Sequence, residues 1–382
     1  MTQNESRGGF LTKQNLLGLL PFAFVIAFLI TCVITYPELI PHSKSFHFDE
    51  LPFCDNEIFP KRTQGNFSVL LWTRKSVNID LSALDPKSCE YQNCFFSSDR
   101  EQLNASDAVV FNDSDLEADD LPASRLDNQR WVFYSREAPP TSKLTSAYNG
   151  IFNWTMSYSK KDDVHVPFFE MCREVYRPPR RNVSEKRFAA VWFVDECSPS
   201  SLPYVHLLQT EFPVHIVGPC SPQGFHCTRR RSCMEKILPL YKFVLVFEDS
   251  ICSDFVTERL LEVLRYDVIP IVSSGADYSA ILPKESFVVA SEHGSPKELA
   301  RMLFRFRNDA LFQKAINARR GVHATRVDWK CRLCEKLNSH SKQTGSHAKL
   351  AEDRLKRGRC KVWRRNFFRT YKASTDMRSG GH

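Results

Sequence analysis

A chain of 382 residues with 42% apolar, 12% aromatic and 25% charged residues is too rich in apolar material for disorder and lacks a collagen or coiled-coil composition. Its net charge of +8 is concentrated at the end, because residues 342–382 hold 12 Lys/Arg against 3 Asp/Glu. The rest is close to neutral, which argues against the basic folded face of a nucleic-acid-binding protein.

The first predicted element is Leu16 to Tyr36, 21 residues without a charge, long enough as a helix to cross a hydrocarbon core of roughly 30 Å. No small-x-small cleavage site follows it, so an uncleaved anchor is expected rather than a signal peptide. Arg7 and Lys13 before the span point to a cytosolic tail over residues 1–15. The expectation is a single-pass type II protein whose remainder faces an oxidising lumen. Twelve of the 13 cysteines lie beyond the span, which suits that compartment. Downstream Asn-x-Ser/Thr sequons make Asn66, Asn104, Asn112 and Asn182 candidate glycosylation sites; Asn153, also in a sequon, falls in a predicted strand and is expected to stay bare.

Residues 37–65 read as a stem, polar and rich in proline. Short runs at Phe67–Trp72, Ala108–Phe111, Trp131–Tyr134 and Ile151–Tyr158 read as strands. They fall in a first domain, residues 66–180. The polar segment Glu170 to Lys186, with Pro178-Pro179 at its centre, reads as a hinge. In the second domain, residues 187–338, strands are predicted at Arg187–Val194, Val214–Val217, Tyr241–Phe247 and Val268–Val272. Helices are predicted at Ser201–Glu211 and Phe255–Tyr266, the latter with Ser253 or Asp254 as N-cap. The alternation implies βαβ units and parallel sheets, and two such domains leave a cleft between them.

In such sheets ligands bind beyond the carboxyl ends of strands, near helix N-termini. That singles out Glu248-Asp249-Ser250 and Thr257-Glu258-Arg259, a cation and carboxylates suited to a diphosphate and a sugar diol. Neither GxGxxG nor GxxxxGK[ST] occurs there. On pattern alone, Glu258, Glu262 and Arg265 read first as a solvated helix face.

The run YKFVLVFEDSICSDFVTERLLEVLRYDVIPIV (Tyr241–Val272) resembles the signature segment of the α1,3/α1,4-fucosyltransferases. So do WVFYSREAPP (Trp131–Pro140), IFNWTMSYSKKDDVHVPF (Ile151–Phe168) and SPKELA (Ser295–Ala300), in order across Trp131 to Asn338. The resemblance implies a GT-B fold: two Rossmann-like domains facing a cleft, the first taking the acceptor and the second GDP-fucose. It implies an inverting, metal-independent transfer of fucose to O3 of an N-acetylglucosamine on a glycoprotein glycan, in the Golgi membrane, with divalent cations at most stimulatory. Glu137 matches the family's general base, with Ala138 in place of the usual serine. Glu258 matches the Thr-Glu-Lys carboxylate and Arg259 its lysine, with Thr257 before them. Phe255 replaces a tyrosine, Asp249 replaces an asparagine and sets a negative charge beside the diphosphate, and Glu196–Tyr204 lacks the family's arginine. Those departures leave a second reading, a degenerate member that binds glycan without transferring.

Cys331-Arg-Leu-Cys334 has the spacing of half a zinc site or a redox pair, but no partner histidines lie at a finger spacing. The resemblance instead suggests that this pair ties back to Cys89 and Cys94 and clamps the domains. Cys172, Cys197, Cys220, Cys227, Cys233 and Cys252 are left for further pairs. The basic tail, residues 339–382, is expected to be solvated, its aromatics Trp363, Phe367, Phe368 and Tyr371 offering at most an amphipathic helix.

Overall fold

The computed structural model describes residues 51–362 and 369–370, apart from 53, 55–60, 62, 64, 74–80, 82–88, 175–185, 198–199, 220, 223, 226–229 and 341–344. The expected anchor at Leu16 to Tyr36 and the sequon at Asn182 lie outside the described residues; among those residues no helix is long and apolar enough to cross a membrane.

Two parallel sheets carry the fold. The first is built from β1 (Phe67–Leu71), β2 (Cys94–Ser97), β3 (Ala108–Asn112), β4 (Arg130–Ser135), β5 (Trp154–Ser157) and β6 (Val164–His165), in the order 2-1-3-4-5-6. Strands β3, β4 and β5 are buried almost throughout, as expected where both faces of a parallel sheet are covered. After β7 (Phe169–Arg173) the chain enters the second sheet. This comprises β8 (Arg187–Phe193), β9 (Val214–Val217), β10 (Tyr241–Phe247), β11 (Ile269–Ser273) and β12 (Val288–Val289), ordered β9-β8-β10-β11-β12. Both sheets thus reverse strand order beside their first strand, the place where doubly wound sheets open a ligand crevice.

Helices α1 (Leu202–Gln209), α2 (Arg230–Ile237), α3 (Glu258–Val263), α4 (Pro296–Phe304) and α5 (Asp309–Ala318) belong to the second sheet. Leu208 of α1, Leu299 and Leu303 of α4 and Phe312 of α5 pack on one side of it with Phe243, Leu245 and Ile269. The chain then returns. Strand β13 (Val322–Arg326) pairs antiparallel with β7, and α6 (Trp329–His340) lays Leu333 and Leu337 on Val69, Val110 and Trp154 of the first sheet. Disulfides Cys89–Cys331 and Cys94–Cys334 fix α6 there, the pairing that the resemblance suggested. The two sulfurs of the metal-like group Cys89, Asp328 and Cys331 are thereby bonded to each other.

Three expectations need correction. Helix α3 starts late: its N-cap is Thr257, not Ser253 or Asp254, because Phe255 and Val256 turn into the core while Asp254 adopts φ 61°. Cys172 and Cys252 do supply further pairs, with Cys54 and Cys360, but Cys197 does not: it is a free, exposed thiol. The tail is not simply solvated. Helix α7 (Leu350–Gly358) buries Leu350 beside Leu70, Phe111 and Phe152, and residues 361–362 form β14, paired with β15 (Arg369–Thr370). Trp363, Phe367, Phe368 and Tyr371 lie outside the described residues.

Candidate active site

The second sheet's contribution begins where β10 ends. Glu248, 1% exposed, accepts hydrogen bonds from the Thr257 backbone N–H (2.8 Å) and hydroxyl (2.9 Å). One carboxylate thereby closes the loop 248–257 on itself. Burial pushes the Glu248 carboxyl up to about 7, the Thr257 hydrogen bonds and Arg259 opposing it. Thr257 Oγ1 accepts from the Arg259 N–H at 3.3 Å, satisfying one of the orphan donors at the start of α3. Gly275 crosses behind this loop: a Cβ there would lie 2.6 Å from the Cys252 carbonyl carbon, so backbone packs on backbone.

The Arg259 side chain folds back over the strand end. Its Nη1 donates to Phe247 O (3.1 Å) and its Nη2 meets Asp249 Oδ2 at 2.7 Å. Burial pulls the guanidinium's pKa down, but Asp249 and then Glu248 outweigh it and hold it above the usual value. Asp249 therefore neutralises Arg259 rather than standing alone. A cavity of about 370 Å³ opens at the carboxyl ends of β8 and β10, lined among others by Asp195, Glu196, Ser201, Asp249 and Arg259, at the sheet's reversal point.

The first sheet supplies the opposite wall. At the end of β4, Ser135 donates to buried Asp113 Oδ2 (2.6 Å) and accepts from the Glu137 N–H (3.1 Å). Asp113 Oδ1 takes the Lys143 N–H at 2.9 Å, so a carboxylate after β3 staples both ends of the turn that carries Glu137. Glu137 itself is exposed, its Oε2 accepting a 3.4 Å bond from the Thr141 hydroxyl. Ala138 is 2% exposed in the core shared by both sheets, where a serine hydroxyl would need a partner.

The two walls meet. Arg136 Nη2 lies 3.6 Å from Glu258 Oε2, and its guanidinium stacks 4.1 Å from the Phe168 ring. Phe255 sits between Tyr158 (4.9 Å) and Phe168 (6.1 Å). The structure thus sets Arg136, the residue before Glu137 in the same turn, against Glu258. It places Thr257, Arg259 and Asp249 in one hydrogen-bonded group and Phe255 in the packing beneath them. Glu248, whose segment the sequence reading singled out, completes the site with Arg136 and Asp113, to which that reading assigned no role. Arg136 had a local signal, a cation abutting a candidate base, whereas Asp113 is a loop acid like many others.

Asn66 and Asn104 are exposed and Asn112 is half-buried. Asn153 is buried, its carboxamide accepting from the Trp131 N–H (2.8 Å) and Arg125 (2.9 Å), which leaves no room for a glycan.

Comparison with known proteins gives these positions a context. The family description "Fucosyltransferase, N-terminal" matches residues 64–169, and "Glycosyltransferase family 10 (fucosyltransferase) C-term" matches residues 183–353. The chain is similar to 4-galactosyl-N-acetylglucosaminide 3-alpha-L-fucosyltransferase FUT6 of Pan troglodytes, 30% identical over 300 residues, spanning 73% of this chain and 81% of the relative. It is similar also to 3-galactosyl-N-acetylglucosaminide 4-alpha-L-fucosyltransferase FUT3 of Pongo pygmaeus, 29% identical over 296 residues, 73% and 78% covered. Among solved structures, that of an alpha1,3-fucosyltransferase with GDP-fucose superposes with a TM-score of 0.50 at 13% identity, over 76% of this chain and 95% of that one, a likeness of fold. With both family segments matched in order and relatives covered over most of their length, the chain belongs to the family 10 glycosyltransferases and is a fucosyltransferase.

Proposed function

We propose that this fucosyltransferase moves fucose from GDP-fucose to O3 of an N-acetylglucosamine on a glycoprotein glycan, with inversion, in the Golgi lumen, anchored through residues 16–36. The observation that carries the reading is the Arg136–Glu258 contact, which sets the Glu137 turn against the start of the helix bearing Arg259. In this reading the two parallel sheets are the Rossmann-like halves of a GT-B enzyme. Glu137 takes the proton of the acceptor O3, and that oxygen attacks the anomeric carbon opposite the diphosphate. The carbon–phosphate-oxygen bond breaks with its electron pair leaving on GDP, so a β-linked fucosyl diphosphate becomes an α-fucoside. Arg259 offsets the charge that develops on the leaving group. Glu258, already at the junction, holds a hydroxyl pair of ribose or fucose. Its ion pair with Arg136 is roughly half exposed, and such contacts are worth about 0–1 kcal/mol, so substrate displaces it at little cost. No metal is needed for these steps, and N-glycans are expected at Asn66, Asn104, Asn112 and Asn182.

The test is the full-length chain in detergent with GDP-fucose and a panel of N-acetylglucosamine-terminated and galactosylated acceptors, with product mass and linkage determined, with and without EDTA. An α1,3-fucosylated product that persists in EDTA, and a Glu137→Gln variant at least about 100-fold slower with an unchanged donor Michaelis constant, would support the reading. GDP-fucose bound with no product from any acceptor would reject it.

A further inference from the structure

The matched family segments end at residue 353, but the folded chain does not. Residues 345–362 run as a strap from one sheet to the loop of the other. On the first sheet, His347 Nε2 meets Asp163 Oδ2 at 2.8 Å, its N–H donates to Phe152 O and its carbonyl accepts from the Gly150 N–H. Burial alone would raise the Asp163 carboxyl, but hydrogen bonds from His347 and Thr155 outweigh it and bring it to about 2. At the far end the Ser253 N–H donates to Gly358 O (2.7 Å), Cys360 is bonded to Cys252, and the Lys361 N–H donates to Ile251 O (2.8 Å). Those partners, Ile251 to Ser253, lie in the loop that Glu248 and Thr257 close.

Between these moorings α7 passes under the Glu137 turn. Arg354, 5% exposed, places Nη1 3.3 Å from Asp162 Oδ2 and Nη2 3.5 Å from the Glu137 carbonyl oxygen, with its guanidinium 5.0 Å from the Phe133 ring. The Asp162 side chain is 2% exposed, and Arg357 and the Ser157 hydroxyl also bond to it. At Gly358 an added Cβ would sit 2.9 Å from Pro139 Cγ, so the end of α7 touches the Glu137 turn directly. Buried ion pairs are poor stabilisers, since desolvation can cancel their attraction. A pair placed beneath a turn, on a strap moored to both walls of the cleft, is better explained by geometry than by stability.

We propose that Arg354 is a positioning residue for Glu137, held by the strap so that the base stands at a fixed place relative to the loop 251–255. This rests on reading Glu137 as the base. Arg354→Met alone would leave the buried Asp162 carboxylate with only Arg357 and Ser157 as partners, so the test pairs it with Asp162→Asn, which removes one charge of each sign and keeps the pocket filled. In the full chain, the double variant is expected to melt close to wild type and keep its Michaelis constant for GDP-fucose. Its kcat should fall about tenfold or more, the effect of a small misplacement of a reacting group. Arg354→Lys, which retains a cation on Asp162 and a donor for the Glu137 carbonyl, should recover most of that loss. A double variant with wild-type kcat, one whose kcat falls only in proportion to its folded fraction, or one that loses donor affinity instead would overturn the assignment. If Glu137→Gln transfers fucose as fast as wild type, the reading of the base fails first, and the assignment of Arg354 falls with it.

Discussion

A guanidinium shared between a strand-end carbonyl and a carboxylate is only partly available to a phosphate. Arg259 is in that position, and the partner that holds it is Asp249. The resemblance marked Asp249 as a departure from the family's asparagine and set its negative charge against the diphosphate, without its pairing to Arg259. With the pair formed, donor binding must either pull Arg259 off Asp249 or bring a diphosphate beside an acidic group. Asp249→Asn removes both obstacles. The Michaelis constant for GDP-fucose should fall about three- to tenfold with little change in kcat, in line with the net worth of a typical hydrogen bond, about 0.5–1.5 kcal/mol. An unchanged or higher constant from initial-rate titration would show that Asp249 serves the donor rather than burdens it. Glu137, Glu258 and Arg259 were legible because motif and neighbours are contiguous. Asp113 and Asp162 were not, since what distinguishes them is burial beneath a turn that begins more than 20 residues away in sequence.

At the scale of elements, the start of α3 is set by Glu248. A helical period across Phe255–Tyr266 invited an earlier start, yet the pull of buried Glu248 on Thr257 and the packing of Phe255 against Tyr158 and Phe168 hold residues 254–257 out of the helix. Tertiary contact here overrides periodicity. This arrangement has a pH signature. The folded carboxyl of Glu248, at about 7, lies above its ordinary value of 4.5, so the native state keeps a proton that the unfolded chain releases. That contribution is complete below about pH 4.5 and is lost as pH rises through 7, a fall on the order of 3 kcal/mol. Glu248→Gln cannot lose a proton. Its stability in urea should therefore decline less than that of wild type between pH 5 and pH 8. Parallel declines in the two proteins would mean that Glu248 is ionised in the folded state throughout.

Across the whole molecule, the chain leaves the first sheet through β7 and comes back through β13, and the two passages pair with each other. Every strand of the two sheets is parallel within its sheet, a pattern legible from alternating strands and helices. The return of α6 and α7 was less so. Leu350 finds Leu70 and Phe152, partners roughly 200 residues or more away, and no local period announces them. Cys89–Cys331 and Cys94–Cys334, spanning 242 and 240 residues, anchor that return. A first crosslink over such a span lowers unfolded-chain entropy by about 5 kcal/mol in the chain-entropy model, and the second adds less because the loop is already closed. Cys331→Ser with Cys334→Ser should therefore lower Tm by about 5–10 °C. It should also slow transfer at temperatures where the protein is still folded, because α6 packs through Trp329 on Tyr134, at 5.5 Å, in the strand that carries the Glu137 turn. Calorimetry with activity measured well below Tm separates the two effects. An unchanged melting temperature, or wild-type peptides in which Cys331 and Cys334 react as free thiols, would mean that α6 is held on the first sheet by packing alone.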